Sequence, residues 1–257
     1  MLKIEQLRKW YTDERNPVVE GFDLEVQRGE FVSLIGPSGC GKTTVLRVVT
    51  GLLDPNGGRI FVDGKPSLGP SRDKALVFQH FNLFPWRTAL HNAAYGLEMQ
   101  GVAKKERLET AEHYLQLVGL GKFLDYYPAQ LSGGMQQRVG LARALAIRPK
   151  VMLMDEPFGA LDALTRENLQ RMLQRICAEQ GLTVLFVTHS TDEAIFLSDR
   201  IIVMGVRPGR IIAQFKVGLR KPRSDYDWRA EAEYTRVRSE IWSLLEGQLE
   251  PLEAVPA

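Results

Sequence analysis

Nine residues, Gly36-Pro37-Ser38-Gly39-Cys40-Gly41-Lys42-Thr43-Thr44, constrain this chain more than any other stretch. They satisfy G-x-x-x-x-G-K-[ST], between a strand-like run, Phe31–Ile35, and a helix-like run, Thr44–Leu53. The pattern requires that context of strand, tight turn and helix. Gly36, Gly39 and Gly41 let the backbone bend so that successive N–H groups point at phosphate oxygens. The following helix adds partial positive charge at its N-terminus. Lys42 is placed to reach β- and γ-phosphates, and Thr43 supplies a hydroxyl for Mg²⁺.

Around this turn the chain reads as a β-rich start, an α/β core, a helical insertion and a return to the core. Residues 2–11 read as a strand, and Phe22, Leu24 and Val26 alternate with polar neighbours. Short strands are expected at Arg59–Val62 and Ala75–Phe78, the latter ending at Gln79 and an aromatic-rich loop, Phe81–Trp86. From about Thr88 to Pro149 the spacing of Leu108, Ala111, Leu115 and Val118, and of Val139, Ala142 and Ala146, predicts helices. Ser132 is a plausible N-cap for the second set. Strands return at Val151–Met154 and Leu182–Val187, and a hairpin at Ile201–Met204 and Ile211–Phe215. Leu169, Met172, Leu173 and Ile176 mark a helix stopped by Gly181, and Ser190 with Glu193 suits a capping box. Ile241, Leu244 and Leu245 predict one amphipathic helix in a charged tail.

Composition bounds the partners. A net charge of +2 over 257 residues argues against nucleic acid as a ligand. Cys40 and Cys177 make no disulfide framework and fit a reducing compartment. Cys40 lies in the phosphate-binding turn and reads first as a small residue tolerated there; the alternative is a thiol that bound nucleotide shields from thiol reagents. No signal-peptide core is seen at the start, and no apolar run approaches the length of a membrane span.

A second chemical element is Val151–Pro157, a buried strand ending in Asp155-Glu156. Ligands of open α/β sheets bind at that end of the strands. There Asp155 would help hold Mg²⁺ through water, and Glu156 would polarise an attacking water.

The third element, Leu131-Ser132-Gly133-Gly134-Met135-Gln136-Gln137-Arg138, resembles the signature motif of ABC-transporter ATPases. Its usual form is Leu-Ser-Gly-Gly-Gln, and Met135 departs from the last residue. The resemblance implies that Ser132, Gly133 and Gly134 face the γ-phosphate of ATP held by a second subunit. The physics is again a glycine-rich helix start with free N–H groups and a serine hydroxyl.

Further positions match that family one by one. Tyr11 resembles the aromatic residue that stacks on adenine, with Trp10 as its rival. Gln79 resembles the glutamine that contacts Mg²⁺ and the attacking water. Ala160-Leu161-Asp162 resembles the loop crossing the dimer interface, and His189 the switch histidine on the γ-phosphate. Together these imply a P-loop NTPase fold, with a RecA-like core, an antiparallel β subdomain and an inserted helical subdomain. The ATPase domain would span residues 1–216, its core residues 1–87 and 150–216, its helical subdomain residues 88–149, and a helical tail residues 217–257.

The implied protein is the ATP-hydrolysing subunit of a bacterial importer. It would work as a homodimer at the cytoplasmic face of the inner membrane, with integral membrane permease subunits and, indirectly, a solute-binding protein. Phe81-Asn82-Leu83-Phe84-Pro85-Trp86, Gly159–Arg166, and Arg220-Lys221-Pro222-Arg223 ahead of Ile241-Trp242 resemble the nitrate/sulfonate/taurine branch. Exposed Phe81, Phe84 and Trp86 would suit permease docking. An exporter, another importer class and a non-transport ABC ATPase remain as alternatives. A GTPase lacks support, because no Asn-Lys-x-Asp motif is present.

Overall fold

A computed structural model describes residues 1–248. Its strands are β1 (Leu2–Lys9), β2 (Val19–Val26), β3 (Phe31–Ile35), β4 (Gly57–Val62), β5 (Lys65–Pro66), β6 (Lys74–Val77), β7 (Val151–Asp155), β8 (Thr183–Val187), β9 (Arg200–Gly205) and β10 (Arg210–Lys216). Its helices are α1 (Lys42–Thr50), α2 (Ala89–Met99), α3 (Lys104–Leu117), α4 (Gly133–Ala146), α5 (Ala163–Gln180), α6 (Thr191–Leu197) and α7 (Ala232–Glu246).

Two sheets form. One is antiparallel, in the order β2-β1-β4-β5; the other has the order β10-β9-β3-β8-β7-β6 and is parallel except for β10. The central strands bury both faces, and successive residues divide between two cores. Val32, Leu34, Val151, Leu153, Leu185, Val187, Ile202 and Met204 point to the side of α1 and the antiparallel sheet. Phe31, Ile35, Met152, Met154, Val184, Phe186, Ile201 and Val203 point to the side of the remaining helices. Helix α1 is therefore packed between the sheets, its Val45, Leu46, Val48 and Val49 buried.

Several boundaries differ from the sequence reading by one to three residues. β1 stops at Lys9 rather than residue 11, so Trp10 and Tyr11 sit beyond it. Within β1 the register shifts between Ile4 and Leu7, with Gln6 at φ 46°, so burial moves from Leu2 and Ile4 to Leu7 and Lys9. α1 starts at Lys42, two residues before the apolar periodicity begins, and ends at Thr50, capped by Gly51 (φ 83°), rather than at Leu53. β6 covers Lys74–Val77, leaving Phe78 outside the strand.

The expected capping box at α6 is only half formed. The Ser190 side chain accepts from the Glu193 N–H, but the Glu193 carboxylate turns away and accepts from Gln170 Nε2 at 2.8 Å. Ser132 does cap α4, accepting from the Met135 N–H at 3.3 Å. The tail helix forms as α7, with Val237 and Ile241 buried. The tail's last residues, 249–257, lie outside the described residues.

Candidate nucleotide site

The parallel strands deliver the chemistry to one edge. The phosphate-binding turn follows β3, Gln79 follows β6, Asp155 ends β7 and His189 follows β8. All four are carboxyl ends, where open α/β sheets bind ligands.

The three glycines of the turn meet different demands. Gly39 (φ 81°) and Gly41 (φ 92°) occupy left-handed backbone, whereas Gly36 answers to space. A Cβ on Gly36 would lie 2.6 Å from the Met204 carbonyl and 2.8 Å from Cys40 Sγ. The turn is also braced from outside. A Cβ on Gly41 would lie 2.7 Å from Val19 Cγ2, and one on Gly209 would lie 2.1 Å from the Cys40 carbonyl.

Lys42 is buried and donates to the carbonyls of Gly36 (2.7 Å) and Pro37 (3.0 Å), which aims its ammonium across the turn. Ser38 is exposed. Cys40 is fully buried, and burial pushes its thiol pKa up against the pull of Lys42. A thiol with no exposed surface does not depend on nucleotide for protection, which fits the reading of Cys40 as a small tolerated residue rather than one that nucleotide shields.

Thr43 Oγ1 donates to Asp155 Oδ1 at 3.0 Å, joining the turn to the end of β7. Burial raises the Asp155 pKa; the Thr43 hydroxyl opposes this and the neighbouring Glu156 carboxylate adds to it. Glu156 itself sits at φ 45°, a conformation costly for a non-glycine residue. Two backbone bonds hold it there, its N–H to the Val187 carbonyl at 2.9 Å and its carbonyl from the Gly159 N–H at 3.1 Å. That twist presents Oε2 to His189 Nδ1 at 3.0 Å. Exposed Gln79 belongs to the same cluster: a Cβ on Gly159 would lie 3.5 Å from Gln79 Nε2 and 3.9 Å from Glu156 Oε2. Tyr11 arrives from beyond β1, and its hydroxyl pairs with Thr44 Oγ1 at 3.2 Å with the ring exposed.

Ser132–Gly134 are not brought to this cluster. Among the described residues no hydrogen bond or ion pair joins the start of α4 to the phosphate-binding turn. That helix start instead packs on the first turn of α5. A Cβ on Gly134 would lie 2.5 Å from Thr165 Cγ2, and one on Gly133 would lie 3.5 Å from the Phe81 ring. Asp162 caps α5 by accepting from the Thr165 N–H, which holds its carboxyl below the usual range.

Two arginines hold these loops, Arg166 from the Gly159–Arg166 stretch and Arg143, which no motif flags. Arg166 donates to the carbonyls of Phe158 (3.3 Å) and Leu161 (2.8 Å), across the loop before α5. Arg143 donates to the carbonyls of Asn82 (2.9 Å) and Phe81 (3.2 Å), behind Gln79. Burial lowers the Arg143 pKa. Arg143 carries no motif signal, because it acts on backbone 61 and 62 residues away in sequence; Arg166, the last residue of the Gly159–Arg166 stretch, acts on the loop just before its own helix.

The ABC transporter family pattern matches residues 19–159. The chain belongs to that family. As an ABC ATPase it couples ATP hydrolysis to transport. It is 48% identical over 250 residues, 96% of this chain and 92% of the relative, to an uncharacterized ABC transporter ATP-binding protein of Methanocaldococcus jannaschii. It is 43% identical over 262 residues, covering 99% of this chain and 98% of the relative, to the nitrate import ATP-binding protein NrtD of Synechocystis. Among solved structures, a dimeric post-hydrolysis ATP-binding cassette bound to ADP and Pi aligns with TM-score 0.74 and 34% identity over 84% of this chain and 99% of that one.

Proposed function

We propose that this ABC ATPase works as a head-to-tail homodimer that energises import of a small anion of the nitrate/sulfonate/taurine type. The anion class rests on the similarity to a nitrate import subunit along nearly the whole chain. No helix among the described residues is long and apolar enough to cross a membrane. Integral membrane permease subunits would therefore supply the pathway, with the ATPase held peripherally at the cytoplasmic face and a solute-binding protein delivering cargo.

The observation that carries this reading is a site divided in two. Lys42, Thr43, Asp155, Glu156, Gln79 and His189 converge at one sheet edge, while Ser132–Gly134 face elsewhere. In a head-to-tail pair the second copy's helix start would complete the pocket over the terminal phosphate. Tyr11 would stack on adenine. The N–H groups from Gly36 to Thr44 would cradle the phosphates, with Lys42 exchanging two carbonyls for phosphate oxygens. Asp162 would hold the loop that crosses between copies.

A hydroxyl and a carboxylate 3.0 Å apart, the carboxylate's pKa raised by burial, fit Mg²⁺. Mg²⁺ is bound by few protein oxygens together with substrate phosphates. Thr43 and Asp155 would hold the ion, with Gln79 beside it, and it would supply neutralisation of charge on the phosphates. Glu156 would take up the proton of the attacking water, its carboxylate aimed by φ 45° and by His189. His189, paired with Glu156, would contact the γ-phosphate.

Glu156→Gln tests this. It keeps the shape and the His189 partner but removes the base. ATP binding should persist, turnover should fall by about two to four orders of magnitude, and an ATP-bound dimer should accumulate in size-exclusion chromatography. Near-normal turnover, or a monomer at saturating ATP, would contradict the proposal.

A further inference from the structure

The seven-residue helix α6 begins two residues after His189 and is gripped along its length by the segment that follows β10. At its far end stands Arg223, a side chain of which only 1% is exposed. Arg223 Nη1 donates to the carbonyls of Ile195 (2.7 Å), Phe196 (3.0 Å) and Ser198 (2.8 Å). Ile195 and Phe196 lie in the last turn of α6 and Ser198 is its C-cap, where carbonyls have no partner within the helix. A guanidinium there also meets the negative end of the helix dipole. Burial pushes the Arg223 pKa down to about 10, leaving it charged at neutral pH. Gln174 of α5 ties the same place from a third direction. Its Nε2 donates to the Phe196 carbonyl at 2.8 Å, and its Oε1 accepts from the Arg223 N–H at 2.9 Å.

Rings hold the same last turn: Phe196 lies 5.5 Å from Trp228, which in turn meets Tyr234 edge-on at 5.0 Å. At the near end, the Tyr234 hydroxyl donates to Asp192 Oδ1 at 3.0 Å, beside an Arg238–Asp192 ion pair at 3.3 Å. Burying an arginine in the core is costly unless its charge and donors do something there. A tail needed only for packing would meet α6 with apolar side chains.

We infer that residues 217–246 clamp α6, and that Arg223 is a positioning residue which sets where His189 stands. The clamp acts on hydrolysis and leaves nucleotide binding alone, because the phosphate-binding turn and Tyr11 lie on other elements. This rests on the role of His189 proposed above.

The test compares Arg223→Gln, Arg223→Lys and Tyr234→Phe in the full-length chain, with His189→Ala as reference, by steady-state ATP hydrolysis and by equilibrium ATP binding. Arg223→Gln should lower kcat by about tenfold to a hundredfold, the scale of a misplaced catalytic group, with the ATP KM and Kd unchanged. Arg223→Lys, which keeps the charge but cannot reach three carbonyls, should recover part of the loss. Tyr234→Phe keeps the ring stack and removes one hydrogen bond, so it should fold normally and cost kcat about two- to fivefold. In a His189→Ala background neither change should reduce turnover further. A loss of ATP affinity parallel to kcat, or unchanged kcat in Tyr234→Phe and Arg223→Gln, would overturn the clamp. Unchanged kcat in His189→Ala alone would instead overturn the role of His189.

Discussion

Glu193 shows how far one side chain's environment departs from what its neighbours in sequence suggest. It is 6% exposed, bonded to Gln170, and one turn beyond the candidate switch histidine. Burial raises its pKa, against the hydrogen bonds of Thr188 and Gln170 and the charges of Arg166 and His189. A raised carboxyl pKa means that the folded chain holds a proton at pH values where the unfolded chain has released it. Stability contributed by this group therefore falls as pH rises from the ordinary glutamate range through the folded-state value. Glu193→Gln removes that dependence while keeping an acceptor for Gln170. Its melting temperature should exceed the parent's by about 2–4 °C near neutral pH, and the gap should close below about pH 4. Differential scanning fluorimetry across pH reads both; a gap independent of pH would mean that the carboxylate is not destabilising the fold.

Among elements, the contact that most directly links two motifs is α4 on α5. Gly134 lets the start of α4 approach Thr165, and a Cβ there would sit 2.5 Å from Cγ2. Thr165 is β-branched and cannot rotate away cheaply. The helix propensity gained by Gly134→Ala, about 1 kcal/mol, is then outweighed by overpacking of about 1–3 kcal/mol. Gly134→Ala should therefore lose stability on urea unfolding, and adding Thr165→Ser, which deletes the offending methyl but keeps the hydroxyl, should restore it. If the double variant is no more stable than Gly134→Ala, the Gly134–Thr165 contact is not what sets this packing.

At the scale of the whole molecule, the question is where a membrane partner would dock. The sequence offered three aromatics, and the structure separates them. Phe81 packs against the core beneath Gly133, and Phe84 is half-buried against Tyr95 at 4.5 Å. Arg87 lies over both the Phe84 and Tyr95 rings. Only Trp86, 72% exposed, presents its ring to solvent. A single exposed tryptophan on an aromatic base has the makings of an interface anchor. Trp86→Ala should leave basal ATP hydrolysis intact and weaken coupling to transport in permease-containing vesicles, on the scale of a hot spot worth about 2 kcal/mol or more. Loss of both activities would instead mean that Trp86 serves the fold.

What local pattern determines, the chain displays openly: the phosphate-binding turn, the carboxylates ending β7, and the Ser132 cap each depend on residues within a few positions of one another. The buried strands were equally legible, because period-two alternation or an unbroken apolar run is a local signal. Only the tertiary structure decided which of these parts meet. Thr43 reaches Asp155, and Glu156 reaches His189, through parallel pairing of strands far apart in sequence. The half-formed cap at Ser190, the depth of Cys40, and the grip of Arg223 on α6 also lay beyond local reading. In each case a polar or reactive side chain chooses among several partners, and the choice is made by which distant backbone the folded core places within hydrogen-bonding distance.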